Sequence, residues 1–147
     1  MLTLEHLKLL GPKAQQFEMG TGGVPDITFQ EVADALSTLP NLAKRYARYK
    51  YANDDRNLIY LKAMLLLYAI KSPGPHRGRV FWEEVVAMAI EFHAHHKVFG
   101  VGRKARRSGR RHWTRLDEDC FVSILNVLDH AEFELRRAFR EWNEANT

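Results

Sequence analysis

The chain has 147 residues, of which 22 are Lys or Arg, 18 are Asp or Glu and 46% are hydrophobic. This length and this hydrophobic content predict one folded domain with a real core and exclude an intrinsically disordered chain. A lone cysteine excludes an internal disulfide framework, and the longest apolar run, residues 63–70, is too short to cross a membrane. We therefore expect a soluble intracellular protein.

The N-terminal part is predicted to form a short helix and an arm. Residues 2–10 have helical spacing, a Gly-Pro pair ends that pattern, and the turn-forming sequence GTGGVP at residues 20–25 favours a loop or an extended arm. We therefore separate residues 1–27 from a helical domain that covers residues 28–147.

Residues 28–52 have the pattern of a helix-turn-helix. Thr28 and Glu31 form a capping box that starts the first helix, Pro40 stops it, and Asn41 is placed to cap the second helix. In a DNA-reading second helix, cations would meet phosphates, and the alternative is an ordinary amphipathic pair with half-buried tyrosines. The cations and tyrosines of this second helix are Lys44, Arg45, Arg48 and Lys50, and Tyr46, Tyr49 and Tyr51.

Three further helices are predicted. Residues 58–70 repeat leucines at helical spacing and are a candidate for the central core helix, residues 80–99 form the next helix, and two glycines after Phe99 end it. Thr114 and Asp117 can then cap a long last helix. Because no alternating strand pattern competes, the sequence predicts an all-α fold, a single compact domain of about five or six helices.

The strongest charge feature is an Arg-rich segment, residues 100–115, which we interpret as a loop before the last helix. No Asp or Glu lies between Glu91 and Asp117. Without the seven cations of this segment and Lys97, the chain would have 14 basic and 18 acidic residues, a net charge of −4. Charge of one sign indicates contact with phosphate, and a solvated linker is the alternative. The candidate phosphate contacts are Arg103, Lys104, Arg106, Arg107, Arg110 and Arg111, and the candidate base-stacking residues are His112 and Trp113.

Other chemistry-bearing patterns are weaker. The sequence EFHAHH of residues 91–96 has helical His spacing without an HExxH or CxxC motif, Cys120 has no cysteine partner, and the acidic run of residues 117–119 suits a helix N-terminus. We therefore expect no metal, no cofactor and no catalytic residue. A metal-dependent enzyme built on the histidines or on the acidic run is the alternative.

The order of these elements resembles the late-gene antitermination protein Q family of lambdoid phages. The resemblance covers residues 2–130 and departs where the lambda member has paired CxxC zinc motifs, since the Arg-rich segment stands there without a cysteine. It therefore implies a compact, zinc-free form. The similar segments are LEHLKLLGPKAQQF, DITFQEVADALS, the helix of residues 58–70, HRGRV and VVAMAIEFHAHHKVFG.

The resemblance implies a transcription antitermination factor. Such a protein binds promoter-proximal DNA, loads onto paused bacterial RNA polymerase that still holds sigma factor, and allows readthrough of terminators in the cytoplasm of the host cell. The second helix of residues 28–52 and the Arg-rich segment become candidates for contact with duplex DNA or nascent RNA, and an oligomer is compatible with this role. The alternatives are a repressor-like DNA-binding module that leaves polymerase unmodified, and a phage inhibitor that acts through a protein interface.

Overall fold

The computed structural model describes residues 1–12, 27–71 and 77–147. Within these ranges the chain forms six α-helices and two 3-10 helices and has no strand, so the predicted all-α fold is confirmed. The predicted arm lies outside the described residues from residue 13 to residue 26. The elements are a 3-10 helix at Leu4–Leu10, α1 at Phe29–Leu36, α2 at Asn41–Tyr51, a 3-10 turn at Asp55–Asn57, α3 at Leu58–Lys71, α4 at Arg79–His95, α5 at Val101–Arg107 and α6 at Arg115–Ala145.

The described residues group into two compact helical units. The first unit comprises Met1–Leu58 and His130–Thr147, and the second comprises Ile59–Asp129. The long helix α6 therefore contributes its C-terminal part to the first unit and its N-terminal part to the second.

In the first unit, the N-terminal 3-10 helix packs against both α1 and α2. Its end requires Gly11, because a Cβ there would overlap the carbonyl oxygen of Ala52. Its start is tied to α6, since the Asn143 amide accepts a hydrogen bond from the Leu2 nitrogen at 2.7 Å and donates one to the Leu2 oxygen at 2.9 Å. These contacts hold the N-terminal residues against α1, α2 and the C-terminal part of α6.

The predicted cap of α1 is confirmed and that of α2 is wrong by one residue. The Glu31 nitrogen donates to Thr28 Oγ1 at 3.3 Å, and the Thr28 nitrogen donates to Glu31 Oε2 at 2.8 Å. In α2 the helical ladder begins at Pro40, whose oxygen accepts from the Lys44 nitrogen at 3.0 Å. Asn41 is consequently the first helical residue, with its side chain exposed.

In the second unit, the core helix is α4 rather than α3. Seven α4 side chains are buried, from Phe81 to Ile90, whereas α3 buries Leu61, Leu65 and Ala69 on one face. The helix α4 also ends earlier than predicted, because His96 takes a left-handed conformation with φ 57° and its nitrogen donates to the Glu91 oxygen. The expectation that α3 is the central core helix is therefore wrong, and half of α3 remains exposed.

Candidate nucleic-acid interface

Three of the four predicted α2 cations surround one polar pocket. Lys44, Arg45 and Arg48 line a pocket of about 240 Å³ together with Asn41 and Asn57. Lys44 and Arg48 are four residues apart and so share one helix face. None of the five lining residues is acidic, so the pocket has a net positive charge.

Asn57 enters this pocket from outside α2. Its side chain is almost fully buried. Its Oδ1 accepts a hydrogen bond from Arg45 Nη1 at 3.2 Å, and its Nδ2 donates to the backbone carbonyl oxygen of Asp54 at 3.3 Å. These two contacts fix the amide in one orientation. Sequence inspection missed this residue because only the fold brings it beside a helix twelve positions earlier in the chain.

Lys50, the fourth predicted α2 cation, points elsewhere. Its ammonium lies 3.2 Å from Glu132 Oε2 on α6, and the Tyr51 hydroxyl donates to the other oxygen of the same carboxylate. Burial raises the pKa of Glu132, but the hydrogen bonds from Tyr51 and Lys50 outweigh it, so the pKa lies below its ordinary value. The charge of Lys50 is therefore neutralised inside the protein. Tyr46 and Tyr49 are buried, which leaves no stacking surface on these rings.

The loop interpretation of the Arg-rich segment is wrong for residues 101–107, which form a helix, and holds for residues 108–114, which form a turn and irregular backbone before α6. Gly100 is the N-cap of the helix α5, which runs to Arg107 and is closed by a turn at Gly109 with φ 73°. The Ser108 hydroxyl donates to the Lys104 oxygen at 2.7 Å and secures the helix end. Like-charge repulsion does not prevent this helix because carboxylates from α4 and α6 neutralise three of the segment's cations.

Lys104 is the most deeply buried of these paired cations. Its ammonium lies 3.0 Å from both carboxylate oxygens of Glu118 and 4.3 Å from the centre of the Phe121 ring. Trp113 donates to the same Glu118 at 2.6 Å and stacks on Phe81 at 6.0 Å between ring centres. Lys104 and Trp113 are therefore fixed within the second unit by contacts that a phosphate or base contact would have to break.

Arg107 and Arg110 also form ion pairs within the second unit. Arg107 lies 2.6 Å from Glu91 and 3.2 Å from Glu84, both on α4. Burial lowers the pKa of the Arg107 guanidinium, but the two carboxylates outweigh it and raise that pKa. Arg110 Nε lies 3.2 Å from Asp117 Oδ2 at the start of α6.

Asp117 is the centre of this ion-pair network. Its side chain has 0% exposure, Oδ1 accepts from Arg77 Nε at 2.9 Å, and Oδ2 accepts from the Thr114 nitrogen at 2.9 Å as well as from Arg110. The Asp117 nitrogen donates back to Thr114 Oγ1 at 3.2 Å, so the predicted cap of the last helix is confirmed. Burial raises the pKa of Asp117, but these hydrogen bonds outweigh it and hold the pKa below its ordinary value.

Four arginines of the segment remain on the surface. None of them forms an ion pair with a carboxylate in the part of the chain that the structure describes, although Arg103 lies over the Phe99 ring at 5.2 Å. We call them the exposed arginine set: Arg103, Arg106, Arg111 and Arg115. The six predicted contacts of the Arg-rich segment thus divide into a paired group, Lys104, Arg107 and Arg110, and an exposed group, Arg103, Arg106 and Arg111, to which the structure adds Arg115.

Among the described residues, the histidines and the cysteine form no group that would hold a metal ion. His93 Nε2 lies 2.7 Å from Asp129 Oδ1, and within the described ranges no three His, Cys, Asp or Glu side chains are grouped to bind an ion. Cys120 is buried, and burial raises the pKa of its thiol. Both Asp117 and Glu118 of the acidic run are engaged in the contacts described above.

Comparisons with known protein families, with curated proteins and with solved structures return no match. Among the described helices, none combines the length and the apolar character needed to cross a membrane.

Proposed function

We propose that this protein binds nucleic acid through the α2 pocket and the exposed arginine set. The observation that carries this proposal is the lining of the α2 pocket, in which three cations and two amides converge without an acidic residue. Guanidinium groups bind phosphate oxygens with paired hydrogen bonds, and an ammonium adds a point charge, so this set of donors suits a phosphate group.

Duplex DNA fits the arrangement of α1 and α2 best. A four-residue connection, residues 37–40, joins the two helices, and a connection of about this length joins the helices of DNA-binding helix-turn-helix pairs. In such pairs the first residues of the second helix read base edges, and phosphate contacts hold the helix in register. Asn41 is exposed at that position, and an asparagine amide can pair with the edge of adenine. We therefore assign base reading to Asn41 and phosphate contact to Lys44, Arg45 and Arg48.

Within this role we further propose a transcription antitermination factor that works by binding alone, without a catalytic step, metal or cofactor. The order of elements along the sequence supports it, through the resemblance to phage antitermination proteins. The partners are a promoter-proximal DNA element and bacterial RNA polymerase with its sigma factor, in the host cytoplasm, and nascent RNA is a further candidate for the exposed arginine set.

The salt dependence of DNA binding tests the α2 pocket. The binding constant falls as salt rises, and each lost phosphate contact makes the slope of log K against log salt shallower by about 0.9. Lys44→Gln/Arg48→Gln should therefore make this slope shallower by about 1.8. The matched control is Arg137→Gln/Arg140→Gln, which removes the same charge from exposed positions on α6 that form no ion pair with Glu132, the partner of Lys50. An equal change in both variants would show that only net charge matters and would refute the assignment.

A single-round transcription assay tests the finer role. The template carries a late promoter followed by a strong terminator, and holoenzyme is challenged with the protein. Readthrough that disappears when the promoter-proximal DNA is scrambled would support antitermination. Salt-sensitive DNA binding without readthrough would favour a repressor-like module, and the absence of both would favour an inhibitor that acts through a protein interface.

A further inference from the structure

The helix α3 exposes an apolar stripe that nucleic-acid binding does not explain. A helix at a protein surface normally presents polar residues to water, yet α3 is apolar on both sides. Opposite its buried face, Ile59 is 71% exposed, Leu67 55% and Ile70 58%. The α3 stripe consists of Ile59, Tyr60, Ala63, Leu67 and Ile70.

The stripe is self-complementary along the helix. Helical periodicity places its five residues within roughly a third of the circumference, with two large side chains at each end and Ala63 near the middle. An antiparallel copy would set the N-terminal pair of each helix against the C-terminal pair of the other. The small side chain of Ala63 would let the two helices approach closely at the centre. A two-fold symmetric contact requires this kind of self-complementarity.

We propose that a second copy of this chain covers the α3 stripe, forming a two-fold symmetric antiparallel helix pair. Burial of each large stripe residue removes on the order of 100 Å² from water. With the flanking aliphatic stems, each copy would bury roughly 500–600 Å², against about 800 Å² per partner in a standard interface. The area is therefore that of a weak, concentration-dependent dimer.

The charges beside the stripe distinguish a second copy from an acidic partner. Lys62 and Lys71 are exposed on opposite edges of the stripe, and α3 contains no Asp or Glu. Lysine stems can cover apolar surface while their ammonium groups stay in water, as at the polar rim of an interface. Because the rims of two identical copies repel each other, added salt should strengthen the dimer, whereas it would weaken binding to an acidic partner.

Sedimentation velocity tests this inference on the full chain, from about 1 µM to about 500 µM protein. We expect the mass to double with concentration, and the midpoint of this transition to move to lower concentration when salt rises from about 0.1 M to about 0.5 M. Ile59→Glu/Ile70→Glu should raise the dissociation constant at least about 30-fold, since burying unpaired carboxylates is costly. Unchanged helix content and melting temperature would show that this variant folds, as expected for exposed positions.

Val98→Glu is the matched control, because Val98 is 77% exposed but lies between α4 and α5, outside the stripe. It should dimerise like the wild type. A protein that stays monomeric at every concentration, or equal loss of the dimer in Val98→Glu, would overturn the inference. A monomer that pellets with phosphatidylglycerol vesicles and loses this property in the Ile59→Glu/Ile70→Glu variant would assign the stripe to a lipid surface and would equally overturn it.

Discussion

Removal of the Asp117 carboxylate should destabilise the protein more than any nearby surface change. Asp117 has 0% exposure, pairs with Arg77 and Arg110, and caps α6 through Thr114. We expect Asp117→Ala to abolish all of these contacts at once. Asp117→Asn keeps an oxygen that can accept from the Thr114 nitrogen but loses the charge.

The contacts set the size of the effect. Breaking a buried ion pair costs about 3 kcal/mol, and this applies to the pair of Asp117 with Arg77, whose side chain is 16% exposed. Loss of a helix cap costs about 1 kcal/mol, and the more exposed Arg110 adds less than about 1 kcal/mol. The unfolding free energy should therefore fall by about 4 kcal/mol in Asp117→Ala and by about 2–3 kcal/mol in Asp117→Asn.

Urea denaturation followed by circular dichroism measures this difference. The control is Asp119→Asn, which removes an exposed charge two residues further along α6 and should change stability by no more than about 0.5 kcal/mol. If Asp117→Asn were as stable as Asp119→Asn, the ion-pair network would contribute nothing and our account of the Arg-rich segment would be refuted.

The pH dependence of this loss has a definite sign. The folded-state pKa of Asp117 lies below its ordinary value, so its stabilising contribution is complete above the unfolded-state pKa, about 3.9, and is lost as the pH falls through the folded-state pKa. The difference between wild type and Asp117→Asn should be full at neutral pH and shrink in acid. A difference that grew on acidification would contradict the assigned direction.

Two further predictions concern the candidate interface. Arg106→Gln/Arg111→Gln should make the fall of log K with log salt shallower by about 1.8 and leave stability unchanged. Arg107→Gln/Arg110→Gln should instead lower the urea midpoint, because those two guanidinium groups are paired with carboxylates. The same outcome in both double variants would refute this division. Asn41→Ala should weaken binding to a selected DNA site by about 1–3 kcal/mol in a competition assay and leave non-specific binding unchanged, and an equal loss on both would reduce Asn41 to a backbone contact.

The all-α fold and most helix starts could be predicted because their signals are local. A capping box acts across three residues, so Thr28 with Glu31 and Thr114 with Asp117 can be recognised without any knowledge of the fold. The shared face of Lys44 and Arg48 follows in the same way from helical periodicity. The early end of α4 at His96 could not be predicted, since a left-handed residue other than glycine has no clear sequence signal.

Only the tertiary structure decided which charges and which apolar faces are available to a partner. Lys50 is neutralised by a carboxylate 82 residues away, and Arg77 and Asp117 are 40 residues apart. The Arg-rich segment contains no acid in sequence, yet acids from α4 and α6 surround part of it in space. Likewise, α4 has seven buried side chains, whereas the more apolar α3 has three. The sequence by itself therefore determined where most helices start and which faces carry charge, because those signals act within a few residues, but it did not reveal α5 within the Arg-rich segment. Charge neutralisation and burial depend on contacts between distant residues, which only folding creates.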